Sequence, residues 1–368
     1  MVTIRVPLVE KRDASYDILI APGLVQQLDK ILAQYCPAAA YALIADSQVA
    51  KLYGDSIAQQ ASRAGYQVTL FTFPAGEANK TRDTWASLSD QMLAAHLGRD
   101  AAVIALGGGV VNDVAGFVAA TYLRGVPLVQ VPTTLLAMID SSIGGKTGVD
   151  VPAGKNLLGV FHQPRVVVAD PELLGSLSSV QLAAGLAEAV KHGAIADAEY
   201  FAFLEGEYAA IFAKHAPALE RVVRRSVEIK AAVVAQDERE KGKRAILNFG
   251  HTVGHAIEAT SQYEVLHGEA VAIGMVYEGR LAETLGIAAT GTAQRIRSVL
   301  ERLHLPVERP DGSQVEDLIA AMRTDKKVRA GEIRIALPSA IGLAYGDDKK
   351  GWTVAVDEAT IRQVLVNT

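Results

Sequence analysis

The chain has 368 residues, which is long enough for two domains of ordinary size. Because 50% of the residues are hydrophobic, 21% are charged and the mean hydropathy is +0.19, an intrinsically disordered chain is excluded. The formal charge of -5 provides no overall positive field, so no nucleic-acid partner is expected.

The single cysteine, Cys36, excludes an intrachain disulfide and a thiolate metal cluster, and it suits a reducing compartment. Charged residues interrupt the apolar stretches of the first twenty residues, so these do not resemble a signal peptide. The longest uncharged apolar run, residues 125–139, is too short to span a membrane. We therefore expect a cytoplasmic protein without a membrane partner.

The first half of the chain predicts a parallel β-sheet. Short segments rich in Val, Ile and Leu, bounded by Gly, Pro or Asp, predict strands at residues 41–46, 67–73, 101–106, 127–132 and 165–170. Between the first three of them, segments with helical spacing end near Gly65 and Gly98. Nearly continuous apolar strands separated by helices are typical of a parallel sheet that is covered on both faces.

The hydrophobic period changes near residue 179. Residues 180–195, 216–240 and 251–260 have apolar side chains three and four positions apart, which predicts helices. We therefore expect an NAD-binding Rossmann-like α/β domain at residues 1–178 and a mainly α-helical domain, which binds metal and substrate, at residues 179–368. A cleft between the two domains is the expected ligand site.

A glycine run, Gly107 to Gly109, directly follows the third predicted strand and precedes a predicted helix. Such a turn suits the pyrophosphate of a dinucleotide, because glycines allow close approach and a helix N-terminus attracts anions. Asn112 occupies the third-glycine position of G-x-G-x-x-G, so a tight turn without a ligand remains the alternative. Asp46, at the end of the first of these strands, is a candidate ribose or adenine partner, or else a solvated carboxylate.

Residues 139–159 are rich in glycine and are expected to form a loop. The segment carries Asp140, Lys146, Lys155 and Asn156, and two lysines with an amide suit a phosphorylated substrate. The alternative is a surface loop with solvated lysines.

Three histidines fall within seventeen residues in the second half. His251 and His255 are four positions apart and share one helix face, and His267 precedes another predicted helix. With Glu188, an acid on an otherwise apolar helix, they offer a His/His/carboxylate set that suits zinc as a Lewis acid. The pattern is not H-E-x-x-H, so a metalloprotease is not supported. Structural histidines are the alternative.

Taken together, seven motifs resemble the 3-dehydroquinate synthase family of sugar phosphate cyclases in content and order, and the resemblance covers nearly the whole chain. The motifs are PAGEANK, GGGVVNDVAGFVAATYLRG, VPTTLLAMIDSSIGGKTGVD, GKNLLGVFHQP, GLAEAVKHG, DEREKGKRAILNFGHTVGHAIE and HGEAVAIGM.

The resemblance implies a set of site residues. It implies that zinc, or alternatively cobalt, is bound by Glu188, His251 and His267. It implies NAD+ contacts from Asp46, Glu77, Lys80, Gly109, Val110, Val111, Asn112, Asp113, Thr133, Thr134, Lys146 and Lys155. It implies substrate contacts from Arg124, Asp140, Lys146, Lys155, Asn156, Lys191, Lys230, Arg244, Asn248, His255 and Lys327, which is favoured over Lys326. Among these, catalytic roles are expected for Lys146, Lys191, Asn248 and His255.

The implied reaction converts 3-deoxy-D-arabino-heptulosonate 7-phosphate into 3-dehydroquinate and phosphate, within the shikimate pathway to chorismate and the aromatic amino acids. It would proceed through transient oxidation by NAD+, phosphate elimination, re-reduction, ring opening and aldol closure. The resemblance also implies a homodimer in which Arg124 reaches the site of the neighbouring subunit.

Three alternatives remain: a metal-dependent polyol or alcohol dehydrogenase, a non-catalytic nucleotide-binding regulator, and another cyclase such as 2-deoxy-scyllo-inosose synthase. The cations around the glycine-rich segment argue against the first, and the Glu/His/His set argues against the second. Three residues depart from the family pattern, namely Ala75, Asn112 and Asp150. Because glycine is usual at position 112, slight backbone strain is expected there.

Overall fold

The structure is a computed structural model that describes residues 5, 13–262, 264–324 and 332–366. Lys326 and Lys327, the two candidates for a substrate contact near the C-terminus, lie outside the described residues.

The strands and helices are numbered in chain order. The strands are β1 (Asp17–Ile20), β2 (Ala40–Asp46), β3 (Gln67–Phe73), β4 (Ala101–Gly107), β5 (Leu128–Pro132), β6 (Lys146–Val151), β7 (Gly154–Phe161), β8 (Val166–Ala169), β9 (Ile333–Ile335), β10 (Pro338–Ala340), β11 (Leu343–Ala344) and β12 (Val354–Val356). The helices are α1 (Leu28–Tyr35), α2 (Ser47–Val49), α3 (Asp55–Arg63), α4 (Arg82–Ala94), α5 (Gly109–Thr121), α6 (Ser179–Ala196), α7 (Ala198–Gly206), α8 (Tyr208–Phe212), α9 (Ala216–Gln236), α10 (His251–Thr260), α11 (His267–Thr284), α12 (Thr292–Arg302), α13 (Val315–Thr324) and α14 (Glu358–Val366).

A six-stranded sheet in the order β1-β8-β5-β4-β2-β3 forms the N-terminal part, and every strand pair in it is parallel. The five predicted strands are confirmed, with ends within one residue of the prediction. The edge strand β1 was not predicted. All residues of β4 are buried, as expected for a central parallel strand with both faces covered.

The predicted loop at residues 139–159 is wrong for most of its length, because β6 and β7 form an antiparallel hairpin. A short helical turn, Ala137–Ser141, precedes the hairpin. Gly148 and Gly159 are paired across it, and a Cβ at Gly148 would lie 2.5 Å from the Leu158 carbonyl oxygen. These glycines allow the two strands to approach closely, so the glycine content does not indicate a loop here.

The second half is mainly helical, as predicted, although the short antiparallel pairs β9/β12 and β10/β11 were not expected. One hydrophobic cluster joins Ile104 and Val129 of the sheet to Leu186 of α6 and Val222 of α9. One face of the sheet therefore packs on helices of the second half. Among the described residues, no helix is long and apolar enough to cross a membrane.

Candidate active site

The glycine turn lies at the carboxyl edge of the sheet. β4 ends at Gly107, Gly108 is the N-cap residue of α5, and the helix begins at Gly109. Thr133 follows the neighbouring strand β5, and its N-H donates to the Gly107 carbonyl oxygen at 2.9 Å. The first N-H groups of α5 therefore lie beside Thr133 and Thr134, in the position where parallel sheets bind nucleotides.

The expected strain at Asn112 is wrong. The residue lies inside α5 and is not among the non-glycine residues with positive φ. Its side chain is buried, and Nδ2 donates to Ser141 Oγ at 3.3 Å. The side chain of Val111 is buried in the core, so this residue can offer a ligand only its backbone, whereas Val110 is partly exposed.

Two acidic residues at the predicted cofactor site already have partners. Asp46 Oδ1 accepts hydrogen bonds from the N-H groups of Gln48 and Val49, so it caps α2. Asp113 Oδ2 accepts a hydrogen bond from Lys80 Nζ at 2.5 Å. Burial lowers the pKa of Lys80, but the attraction of Asp113 outweighs it and raises the pKa above its usual range. Lys80 is therefore a buried cation.

The three predicted metal ligands converge from three helices. Glu188 lies in α6, whereas His251 and His267 are the first residues of α10 and α11. Nε2 of His251 lies 3.4 Å and Nε2 of His267 lies 3.3 Å from Glu188 Oε1. One ligand atom from each residue lies within 4.8 Å of the other two. The spacing of this donor set fits one metal ion.

Hydrogen bonds behind the two imidazoles orient them toward this point. His251 Nδ1 lies 3.1 Å from the Phe249 carbonyl oxygen, and His267 Nδ1 lies 3.3 Å from Glu258 Oε2. Both partners are acceptors, so a ring that binds a metal through Nε2 would keep its proton on Nδ1 and donate it to the partner behind it. Two imidazole nitrogens and a carboxylate form a set that zinc or cobalt accepts.

The charges of these three side chains depend on their neighbours. Burial and the Lys191 ammonium lower the pKa of His251 to about 3. Burial acts in the same direction on His267, but the attraction of Glu258 outweighs it and raises that pKa to about 10. Lys191 forms an ion pair with Glu188 and, against burial, holds the pKa of this carboxyl well below its usual range. Glu188 is therefore an ionised carboxylate.

A buried carboxylate fixes the start of α10. Glu278 of α11 accepts hydrogen bonds from Gly250 N-H at 2.5 Å, Thr252 N-H at 2.9 Å and Val253 N-H at 3.0 Å. These are N-terminal donors that a helix cannot satisfy itself. Glu278 thus joins the helix that carries His251 to the helix that begins with His267.

Lys230 of α9 lies deep in the site. Its Nζ donates to the carbonyl oxygen of Asp140 at 2.6 Å and to Oδ1 of the same residue. Burial lowers the pKa of Lys230 to about 8, and the nearby Asp140 carboxylate limits this decrease. Lys230 also holds the pKa of Asp140 below its usual range, although burial opposes this effect.

Arg244 is 2% exposed, and Lys230 is 5% exposed. Neither side chain is therefore a solvated surface cation. Arg244 Nη1 donates to the Glu238 carbonyl oxygen at 2.5 Å, and the guanidinium also reaches the Gly144 carbonyl oxygen at 3.4 Å. The guanidinium connects the segment before α10 to the turn before β6.

Two carboxylates that contact the predicted site residues were not predicted from the sequence. Glu240 forms an ion pair with Lys146 and accepts a hydrogen bond from Asn248 Nδ2 at 2.5 Å. Glu258 accepts a hydrogen bond from Lys155 Nζ at 2.9 Å. Sequence spacing contained a signal for Glu258, because it is seven residues after His251 and therefore on the same helix face. Glu240 lies in a charge-rich segment that gave no comparable signal.

Other predicted residues differ in how close they lie to this cluster. The ring of His255 is centred 5.4 Å from that of His251, and Glu77 Oε1 lies 3.4 Å from Lys155 Nζ. Asn156 has a φ of 55°, and its N-H donates to Asp150 Oδ1. Arg124 is exposed, and within the described part of the chain its side chain makes no hydrogen bond or ion pair to the cluster.

Two family models match adjoining parts of the chain: the N-terminal 3-dehydroquinate synthase model matches residues 70–184, and the C-terminal model matches residues 185–328. The chain belongs to the 3-dehydroquinate synthase family. A 3-dehydroquinate synthase of Symbiobacterium thermophilum is 51% identical over 331 residues, which cover 89% of this chain and 92% of the relative. One from Nostoc punctiforme is 43% identical and covers 96% of each chain.

Solved structures of other cyclases are also similar. A 2-epi-5-epi-valiolone synthase from Streptomyces hygroscopicus, with NAD+ and Zn2+ bound, is 32% identical with a TM-score of 0.87 over 98% of each chain. A 2-deoxy-scyllo-inosose synthase complexed with carbaglucose-6-phosphate, NAD+ and Co2+ is 27% identical, with a TM-score of 0.86 over 95% of each chain. Maleylacetate reductase from Agrobacterium tumefaciens, at 14% identity and a TM-score of 0.68 over 98% of this chain and 97% of its own, shares the fold.

Proposed function

We propose that the protein is an NAD+- and divalent metal-dependent 3-dehydroquinate synthase, a lyase that forms 3-dehydroquinate and phosphate from 3-deoxy-D-arabino-heptulosonate 7-phosphate. The observation that carries this proposal is the convergence of Glu188, His251 and His267 beside buried cations, in a chain that is 51% identical to a 3-dehydroquinate synthase. Two similar cyclase structures with bound NAD+ and Zn2+ or Co2+ support the same cofactors here.

Separate sets of residues would hold the metal and the cofactor. Glu188, His251 and His267 would hold the metal, and the turn at residues 109–113 with Thr133 and Thr134 would hold the pyrophosphate. When bound, the metal supplies Lewis acidity to a substrate hydroxyl, and NAD+ takes up a hydride and returns it. Asp46, Glu77 and Lys80 would contact the rest of the cofactor.

The buried cations suit the anionic groups of the substrate. Arg244 and Lys230 would bind its carboxylate, because Arg can donate two parallel hydrogen bonds to such a group. Lys146, Lys155 and Asn156 of the hairpin would lie at the phosphate. A neutral alcohol would need none of these charges, so the cluster disfavours the dehydrogenase.

The residues around the metal would position the substrate hydroxyls and move protons. Asp140 and Asn248 would accept or donate hydrogen bonds to hydroxyl groups, and Lys191 keeps Glu188 ionised. His255 would assist proton transfer around the departing phosphate, since imidazole exchanges protons near neutral pH. The phosphate itself can serve as the base that removes the adjacent carbon-bound proton.

The experiment compares two substrates. Purified protein with NAD+ and zinc is given the heptulosonate phosphate or glucose 6-phosphate, which lacks the carboxylate, and phosphate release is measured. We expect release, together with 3-dehydroquinate, from the heptulosonate phosphate alone. Release from glucose 6-phosphate alone would indicate an inosose-type cyclase instead.

We also propose a homodimer located in the cytoplasm. The edge strand β7 carries Leu157 and Leu158, which are 48% and 42% exposed. An exposed apolar edge strand can pair with its own copy across a two-fold axis, which would cover these side chains. In such a dimer, Arg124 would be available to the site of the second subunit.

A further inference from the structure

Glu258 lies behind the proposed metal site, where it contacts His267 and Lys155. It is in α10, it is 2% exposed, and its two carboxylate oxygens have different partners. Oε2 lies 3.3 Å from Nδ1 of His267, and Oε1 accepts a hydrogen bond from Nζ of Lys155 at 2.9 Å. One buried side chain therefore joins a proposed metal ligand to the hairpin.

We propose that Glu258 is a positioning residue, which uses one oxygen to hold the Nδ1-protonated tautomer of His267 and the other to bind the ammonium of Lys155. The inference rests on the proposed function, because it takes His267 as a metal ligand. Glu258 itself would not touch the metal, but it would determine how His267 directs Nε2 toward the metal.

The chemistry of a carboxylate requires this arrangement. An ionised carboxylate only accepts hydrogen bonds, so a His267 ring that gives its Nε2 lone pair to a metal must carry its remaining proton on Nδ1. The lone pair of Nε2 then points toward Glu188 Oε1, 3.3 Å away. A carboxylate behind a metal-binding histidine fixes the ring and increases its basicity, and losing one typically costs 10- to 100-fold in metal affinity.

The second oxygen makes glutamine an informative substitution. An amide has one oxygen and one NH2 group, so it can accept a hydrogen bond from only one of the two partners. If its oxygen faces His267, its NH2 group faces the Lys155 ammonium and is repelled. If its oxygen faces Lys155, its NH2 group opposes the Nδ1 proton of His267.

The first experiment measures zinc affinity by competition with a chromophoric chelator, on the full chain without substrate. Glu258→Gln should bind zinc about 10- to 100-fold more weakly than wild type. The matched control is Glu269→Gln, which removes the same charge two residues from His267. Glu269 accepts its hydrogen bond from the Leu266 N-H, and a glutamine oxygen can still do so. Equal zinc affinities for the two variants would overturn the proposal.

A double variant separates positioning from a general loss of packing. In Glu258→Gln/Lys155→Met, no ammonium group competes for the amide oxygen, which can therefore face His267 and accept its hydrogen bond. The double variant should therefore recover part of the zinc affinity that Glu258→Gln loses. A double variant that binds zinc no more tightly than the single variant would overturn the assignment of separate oxygens.

A further test uses the wild-type protein, so its outcome does not depend on whether a variant folds. Histidine 15N chemical shifts of the zinc-loaded protein should show His267 protonated at Nδ1 and bound to metal through Nε2. Binding through Nδ1 would overturn the inference. These readouts do not use turnover, so inactivity toward the heptulosonate phosphate would reject the proposed function and leave this inference standing.

Discussion

The backbone of Gly268 packs directly on that of Ala184, and a Cβ at Gly268 would lie 1.9 Å from the Ala184 carbonyl oxygen. Gly268 follows His267 at the start of α11, and Ala184 lies one helical turn before Glu188 in α6. The absence of a side chain at this contact therefore allows the helices that carry two proposed metal ligands to approach each other.

Replacing Gly268 by alanine should separate these helices. We expect a loss of about 1–3 kcal/mol in the free energy of unfolding, as for other overpacked contacts, together with weaker zinc binding. Gly206→Ala is the control, because a Cβ at Gly206 meets no atom within 4 Å. Denaturant titration and chelator competition measure both quantities. Unchanged zinc affinity in Gly268→Ala would show that the contact does not set the ligand spacing.

Removal of the Glu278 carboxylate should destabilise the start of α10. Glu278→Ala leaves three buried N-H groups without this acceptor, and each such loss costs about 1–3 kcal/mol. We therefore expect a decrease of at least about 3 kcal/mol in the free energy of unfolding. Glu283→Ala, which removes the acceptor of only one N-H, that of Ala293 at the start of α12, should cost less. Equal decreases in urea denaturation would contradict the capping role.

The lowered pKa of Lys230, about 8, predicts a pH dependence. Below this pH the side chain is a cation and can bind the substrate carboxylate, whereas above it the charge is lost. The value of kcat/KM should therefore decrease above about pH 8. Lys230→Arg, which stays charged, should not show this decrease. A profile that stays unchanged to pH 10 in wild type would contradict the role of Lys230.

The lowered pKa of Lys230 also determines how the stability of the folded protein changes with pH. The pKa of Lys230 is lower in the folded protein than the ordinary 10.5, so the unfolded chain binds more protons between these values. The contribution of this group to stability therefore increases with pH from about 8 to 10.5.

Loss of a proposed metal ligand should reduce the metal content. Glu188→Ala, His251→Ala and His267→Ala should each retain substantially less zinc than wild type after dialysis, because three ligands leave no redundancy. His215→Ala is the control, since this histidine is exposed and precedes α9. Elemental analysis measures the zinc per chain. Full occupancy in any of the three variants would remove that residue from the ligand set.

The parts of the fold that could be predicted depend on local sequence patterns. The buried parallel strands show nearly continuous apolar runs, and α6, α9 and α10 show helical spacing. Strand β1 was missed because its partner, β8, lies far along the chain, with Asp17 paired to Val166. The hairpin was missed because its glycines allow close contact between the two strands, whereas a glycine-rich segment usually indicates a loop.

The site residues could likewise be predicted only where a local sequence pattern marks them. The residues proposed to bind the metal could be singled out from the sequence, because histidines and an acid on apolar helices are unusual. The pairing of Lys146 with Glu240 joins two segments that are distant in sequence, so no local pattern predicts it. Expected strain at Asn112 was wrong because the residue lies inside a helix, where glycine offers no advantage.

The most direct test of the central claim is the stoichiometry of NAD+ use. Purified, zinc-loaded protein is mixed with the heptulosonate phosphate and a trace of NAD+, and phosphate release and absorbance at the NADH wavelength are followed together. Because the hydride leaves and returns within one turnover, we predict release of many equivalents of phosphate per NAD+ while the absorbance stays flat. Accumulation of NADH in proportion to product would contradict the account and indicate a dehydrogenase.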